Sequence, residues 1–87
     1  MNSPLWDIEY SPEARNYIYD SYPYTEAILI AIEELRFMPD AIPPQGGTQI
    51  EPGVYMCEML RHLVVYQRML EVQPKPMLWI GIVKPLE

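Results

Sequence analysis

One cysteine, one histidine, one phenylalanine and six basic residues are all that this chain of 87 residues has of the groups on which much protein chemistry rests. Cys57, being alone, cannot close an internal disulfide. With His62 as the only other Cys or His, a structural zinc site is not expected. Six Lys and Arg stand against twelve Asp and Glu, a net charge of −6. Such a balance excludes the concentrated basic surface that non-specific nucleic-acid binding needs for counterion release. No apolar run approaches the roughly 18–20 residues that cross a bilayer, and the opening MNSPLWDIEY has neither the basic stretch nor the long apolar stretch of a secretory signal. A cytoplasmic protein without membrane contact is expected. There is no glycine-rich phosphate loop, no Gly-x-Ser-x-Gly elbow and no paired metal ligands, so neither cofactor nor metal is expected.

What is present is apolar: 49% of residues are hydrophobic and 21% charged, the composition of a chain with a core. The length suits one domain over residues 1–87. Leu5 to Tyr10 alternates Trp6, Ile8 and Tyr10 against Asp7 and Glu9, the pattern of a strand with one buried and one wet face. Ser11-Pro12-Glu13 is an ordered helix start, with a capping hydroxyl, a residue that needs no donor and an acid near the positive helix end. A helix over Pro12 to Asp20 follows, interrupted at Tyr22-Pro23. A second helix, Pro23 to Phe37, carries Tyr24, Ile28, Ala31, Ile32 and Leu35 on one stripe. Met38 to Gly53 holds four of the ten prolines and three of the four glycines, which predicts a long connection without regular structure, ending in a Pro52-Gly53 turn.

The segment YMCEMLRHLVVYQRML, Tyr55 to Leu70, fits two templates. As a helix it presents Met56, Met59, Leu60, Leu63, Tyr66 and Leu70 on one face. As a hairpin it pairs Val54–Leu60 with Leu63–Val72 around Arg61-His62, a turn without glycine. MLWIGIV, Met77 to Val83, is a short apolar run rich in strand formers; a strand of that kind sits inside a sheet and needs two neighbours. The first strand supplies one and Leu63–Val72 the other, since successive segments usually pair. The balance tips to the hairpin. The expected fold is α+β: two N-terminal helices packed on one face of a small, mainly antiparallel four-stranded sheet, in the order β-α-α-β-β-β.

In that order the chain resembles the RelE/ParE toxin superfamily of bacterial type II toxin–antitoxin systems. Trp6-Asp7-Ile8-Glu9-Tyr10-Ser11-Pro12-Glu13-Ala14 is similar to the family's opening strand and helix start. Pro52-Gly53-Val54-Tyr55 and Leu63-Val64-Val65-Tyr66-Gln67 resemble its two central strands, and Met77 to Lys84 falls where its last strand belongs. The resemblance implies a toxin acting on ribosome-bound mRNA or on DNA gyrase, held in check by a cognate antitoxin. The cutting branch carries lysines on the second strand, and these positions fall on Met56 and Glu58. Its third-strand arginine falls on Leu63 or slips to Arg61, and its distal arginine falls near Pro85 beside Lys84. The sequence stops at Glu87, before a terminal tyrosine of the family's kind. A carboxylate at Glu58 repels the phosphate that a lysine attracts, so the resemblance implies a toxin fold with its nuclease residues largely replaced.

Arg61, His62 and Lys84 remain as catalytic candidates: a turn exposes the first two, and a histidine exchanges protons near neutral pH. Their alternative reading is as ordinary solvent-facing residues. Tyr66, Gln67 and Arg68 are candidates for a binding face, with Tyr66 stacking a base or else packing in the sheet. Tyr17, Tyr22 and Tyr24 belong to a tyrosine cluster too dense to bury entirely, which suits a protein partner. The acidic balance supports a different function on the same fold, a non-catalytic binding module or inhibitor directed at a basic protein.

Overall fold

The computed structural model describes residues 3–86. The chain forms β1 (Asp7–Tyr10), α1 (Pro12–Asp20), α2 (Glu26–Glu34), a 3-10 turn at Leu35–Phe37, then β2 (Thr48–Glu51), β3 (Val54–Met59), β4 (His62–Met69) and β5 (Met77–Pro85). The five strands make one sheet in the order β1-β5-β4-β3-β2. β1 runs parallel to β5 and every other neighbouring pair is antiparallel. The α+β class and the two helices agree with the sequence reading, and β5 lies between β1 and β4 as its apolar run required. Two details differ: the sheet is a mixed one of five strands instead of four, and the helical segments follow a strand and extend to Phe37, so they do not form an N-terminal block.

The additional strand arises inside the connection expected to be irregular. Thr48 to Glu51 is the longest stretch there free of Gly and Pro, between Gly47 and Pro52, and four residues suffice for an edge strand. Pro52 and Gly53, the latter at φ 80°, turn the chain into β3, the arrangement in which proline precedes a left-handed glycine.

The start of α1 is fixed twice by Ser11. Its hydroxyl accepts from the Ala14 amide at 3.1 Å and donates to the Gly81 carbonyl at 2.7 Å, joining the helix cap to β5. α2 begins at Glu26, three residues later than proline spacing suggested, because Thr25 is drawn inward: fully buried, it donates its hydroxyl to the Ile18 carbonyl at 2.6 Å. Tyr24 consequently falls outside the helix and is 69% exposed. Ala14, Ile18, Ile28, Ile32 and Leu35 pack with Val64, Tyr66, Leu78 and Ile80 in one core. The helices therefore cover one face of the sheet. No helix among the described residues is long and apolar enough to cross a membrane.

Candidate functional site

Cross-strand partners share a face, so the pairing registers assign every strand residue to the covered side or the open side. On the open side one row runs Glu58, Leu63, Lys84 across β3, β4 and β5; the next runs Met56, Val65, Ile82; a third runs Val54, Gln67, Trp79 and continues to Glu9 on β1. Between Trp79 and Ile82 the register shifts by one residue. Gly81 is the extra residue, and this bulge turns both Ile80 and Val83 inward although they are three apart. The Gly81 carbonyl is the group that accepts the Ser11 hydroxyl, so the bulge and the helix cap stabilise each other.

The open face is mainly apolar at its centre. Leu63, Val65, Met56, Val54 and Trp79 are half-buried and Ile82 is 42% exposed, with Glu58 and Lys84 exposed at one end. Beside it, between the 45–48 loop and β3–β4, lies an open depression of about 340 Å³ lined by Gln45, Gly46, Gly47, Met56, Cys57, Glu58 and Leu63 among others. Met56 and Glu58, which the resemblance aligns with the nuclease lysines, and Leu63, one of the two positions open to its arginine, lie on this face, while the other, Arg61, is exposed at the hairpin tip. The three on this face bring together two apolar side chains and a carboxylate.

The chain reverses at Leu60 and Arg61, with φ of 50° and 62°. This is the left-handed pair of a two-residue hairpin turn, normally filled by Asn-Gly. Both side chains are exposed, Leu60 at 58%. The reversal is one residue earlier than the sequence suggested, and that single step moves His62 from the turn into a strand. His62 is 3% exposed and faces the helices. Its Nε2 lies 2.8 Å from the Tyr17 hydroxyl and its Nδ1 lies 2.9 Å from the Leu60 carbonyl. The carbonyl can only accept, so Nδ1 donates to it, and Nε2 shares the second hydrogen bond with the Tyr17 hydroxyl. Tyr24 packs against the same ring at 5.9 Å. The expectation that the turn exposes both Arg61 and His62 is therefore corrected for His62, which locks the hairpin to α1. Lys84, on the opposite face, does not meet it.

Tyr66, Gln67 and Arg68 are divided by strand alternation. Tyr66 is 1% exposed and donates to the Ala41 carbonyl at 2.6 Å, so it cannot stack a base; burial holds its hydroxyl far above the ordinary phenol range. Gln67 is exposed on the open face. Arg68 lies on the covered side, its guanidinium 5.7 Å from the Trp6 ring centre and 5.1 Å from that of Tyr55, with one Nη donating to the Tyr55 hydroxyl at 3.2 Å. Tyr17, Tyr22 and Tyr24 surround the exit of α1. Tyr17 is half-buried, while Tyr22 is 57% exposed and donates to Glu26 at 2.8 Å. That hydrogen bond, followed by the charge of Glu26, raises its hydroxyl above the ordinary value. The acidic residues do not gather on one face. Glu9 lies on the open side, whereas Glu33 sits with the helices, accepting from the Tyr10 hydroxyl and pairing with Arg36 at 3.1 Å.

Nucleophile and proton-transfer groups do not converge on the open face. Burial pushes the Cys57 thiol up to about 11, which removes the thiolate that reactivity requires. Among the described residues no three His, Cys, Asp or Glu side chains gather as a metal site. The arrangement supports recognition through apolar contact. The residues missed from sequence are Val65, Trp79 and Ile82. Their alternation was legible, but the bulge at Gly81 hid which of the β5 residues faced outward. No family model matches the chain, and no curated protein or solved structure matches it.

Proposed function

We propose that this protein is a divergent member of the RelE/ParE toxin fold that acts by binding a protein, with DNA gyrase or the ribosome as the class of target, and that it does not cut mRNA itself. The observation that carries this reading is the content of the open face: the two positions that would hold cutting lysines are Met56 and Glu58, and the position on this face that could hold the arginine is Leu63. A carboxylate and two apolar groups neither attract a phosphate nor stabilise charge developing on it. The exposed Tyr19, Tyr22 and Tyr24, with Leu60 and Arg61 at the hairpin tip, include residue types that dominate protein-binding hot spots. A cognate antitoxin is the natural second partner.

Inducible expression in a bacterial host tests the reading. Growth arrest, relieved by the gene neighbouring this one, with cellular mRNA intact, is the expected outcome. Specific mRNA cleavage in a purified translation system would refute it. A second reading is favoured by the net charge of −6: a non-toxic acidic binding module or inhibitor that occludes a basic protein. Unimpaired growth, together with retention of one partner that is lost when Glu9 or Glu34 is reversed in charge, supports that second reading instead.

A further inference from the structure

We infer that the open face of the sheet is a self-association surface, closed by a second copy of this chain about a two-fold axis running along β4. This inference is independent of the toxin reading. The requirement of a two-fold interface is self-complementarity: whatever one side of the axis presents, the other side must accept. Glu58 lies one strand to one side of β4 and Lys84 one strand to the other, in the same row through Leu63. Rotation about an axis along β4 exchanges the sides and keeps the position along the strand. Glu58 of each copy therefore lands over Lys84 of the other, twice per dimer.

The same rotation sets Met56 over Ile82 and Val54 over Trp79, and brings Leu63, Val65 and Gln67 onto their own counterparts. Apolar side chains meet apolar side chains through the centre, and the charges fall at one end. Within one copy Glu58 and Lys84 stand two strands apart, roughly 10 Å by strand spacing, and neither belongs to the ion pairs found among the described residues. Both are exposed and can reach across. Two sheets packed face to face lie about 10 Å apart and cross at roughly 30°. Glu9 and Glu51 close the Trp79 row at its two ends and come towards each other at the rim, where the crossing angle and sheet twist swing the edges apart and salt screens what remains. The footprint, about 20 Å on a side from strand and residue spacings, is smaller than a standard stable interface and places the dimer among weak, reversible ones.

Sedimentation of the purified full chain over a concentration series provides the test, with Glu58→Lys, Lys84→Glu, the double exchange and Ile82→Asp. Wild type is expected to dimerise reversibly. Each single charge variant should weaken the dimer about tenfold, since two attractions become two repulsions. The double exchange should restore it. An equimolar mixture of the two single variants should form the heterodimer, because one copy then presents two cations at these positions and the other two anions, and both facing pairs attract. Ile82→Asp should abolish association whatever the charges. Circular dichroism of these surface variants should match wild type. A wild type that stays monomeric throughout, single charge variants that dimerise as well as wild type, or a folded mixture that remains monomeric would each overturn the inference.

Discussion

Val64, Tyr66, Leu78 and Ile80 are at most 1% exposed, while Leu63, Val65, Trp79 and Ile82, interleaved with them on the same two strands, are half-buried or, for Ile82, 42% exposed. The covered face is built as a core: apolar contacts from two helices, and polar groups that find partners, such as the Tyr66 hydroxyl on the Ala41 carbonyl, with the buried Arg68 Nε the exception. The open face has apolar residues that no helix among the described residues covers. A monomer needs only the first of these. Sheet alternation thus divides one sequence into residues that specify the fold and residues available to a partner, and apolar character alone does not tell which is which.

Truncating one isoleucine on each face should separate the two most widely. Ile80→Ala should cost about 3 kcal/mol through lost burial and the cavity left behind, whereas Ile82→Ala in dilute solution should cost well under about 1 kcal/mol. Urea unfolding measures both, and equal losses would erase the distinction between the faces. The hairpin tip comes next, with a change in the opposite direction. Leu60→Asn with Arg61→Gly should stabilise the fold by about 1–2 kcal/mol, because two left-handed residues exchange a steric cost for a turn they favour. A loss of stability would show that the Leu60 and Arg61 side chains contribute to the fold.

Removing a single hydroxyl from the covered side comes third. Tyr66→Phe leaves the Ala41 carbonyl without its donor and should cost about 1–2 kcal/mol, against a change within about 0.5 kcal/mol for Gln67→Ala on the open side. A weaker dependence concerns pH. The Cys57 thiol is raised from 9.0 to about 11 by burial, so the folded state favours the neutral thiol. Its contribution is complete below pH 9.0 and declines as pH rises towards about 11. Cys57→Ala should flatten the loss of stability over that interval, and an unchanged slope would assign the loss to other groups.

Much of the fold was legible because its signals are local. Ser11-Pro12 reports a helix start, Ile28, Ile32 and Leu35 report a buried stripe, and the apolar run of β5 reports a strand with neighbours on both sides. β2 was hidden because its four residues sit among prolines and glycines, and pairing with β3 outweighs that composition. The turn at Leu60-Arg61 lacked the Asn-Gly signature, so its position was read one residue late. In a strand of period two, one residue is the whole difference between an exposed histidine and a buried one. His62 is therefore expected at a surface that alternation denies it, while Tyr66 takes the sheet-packing alternative and Arg68 turns to the covered side. Met56, Glu58 and Leu63 share one face because of their register within a hairpin whose pairing the sequence favoured.

Trp79, the large aromatic of the open face, reports on whether that face is bare in the monomer and covered in the dimer. Acrylamide quenching of a Trp6→Phe variant, in which Trp79 is the only indole, should show ready access in dilute protein, protection as concentration rises, and renewed access when Glu58→Lys is added. Quenching that is the same at every concentration, or an indole already shielded in the dilute monomer, would contradict a face left open for a second copy.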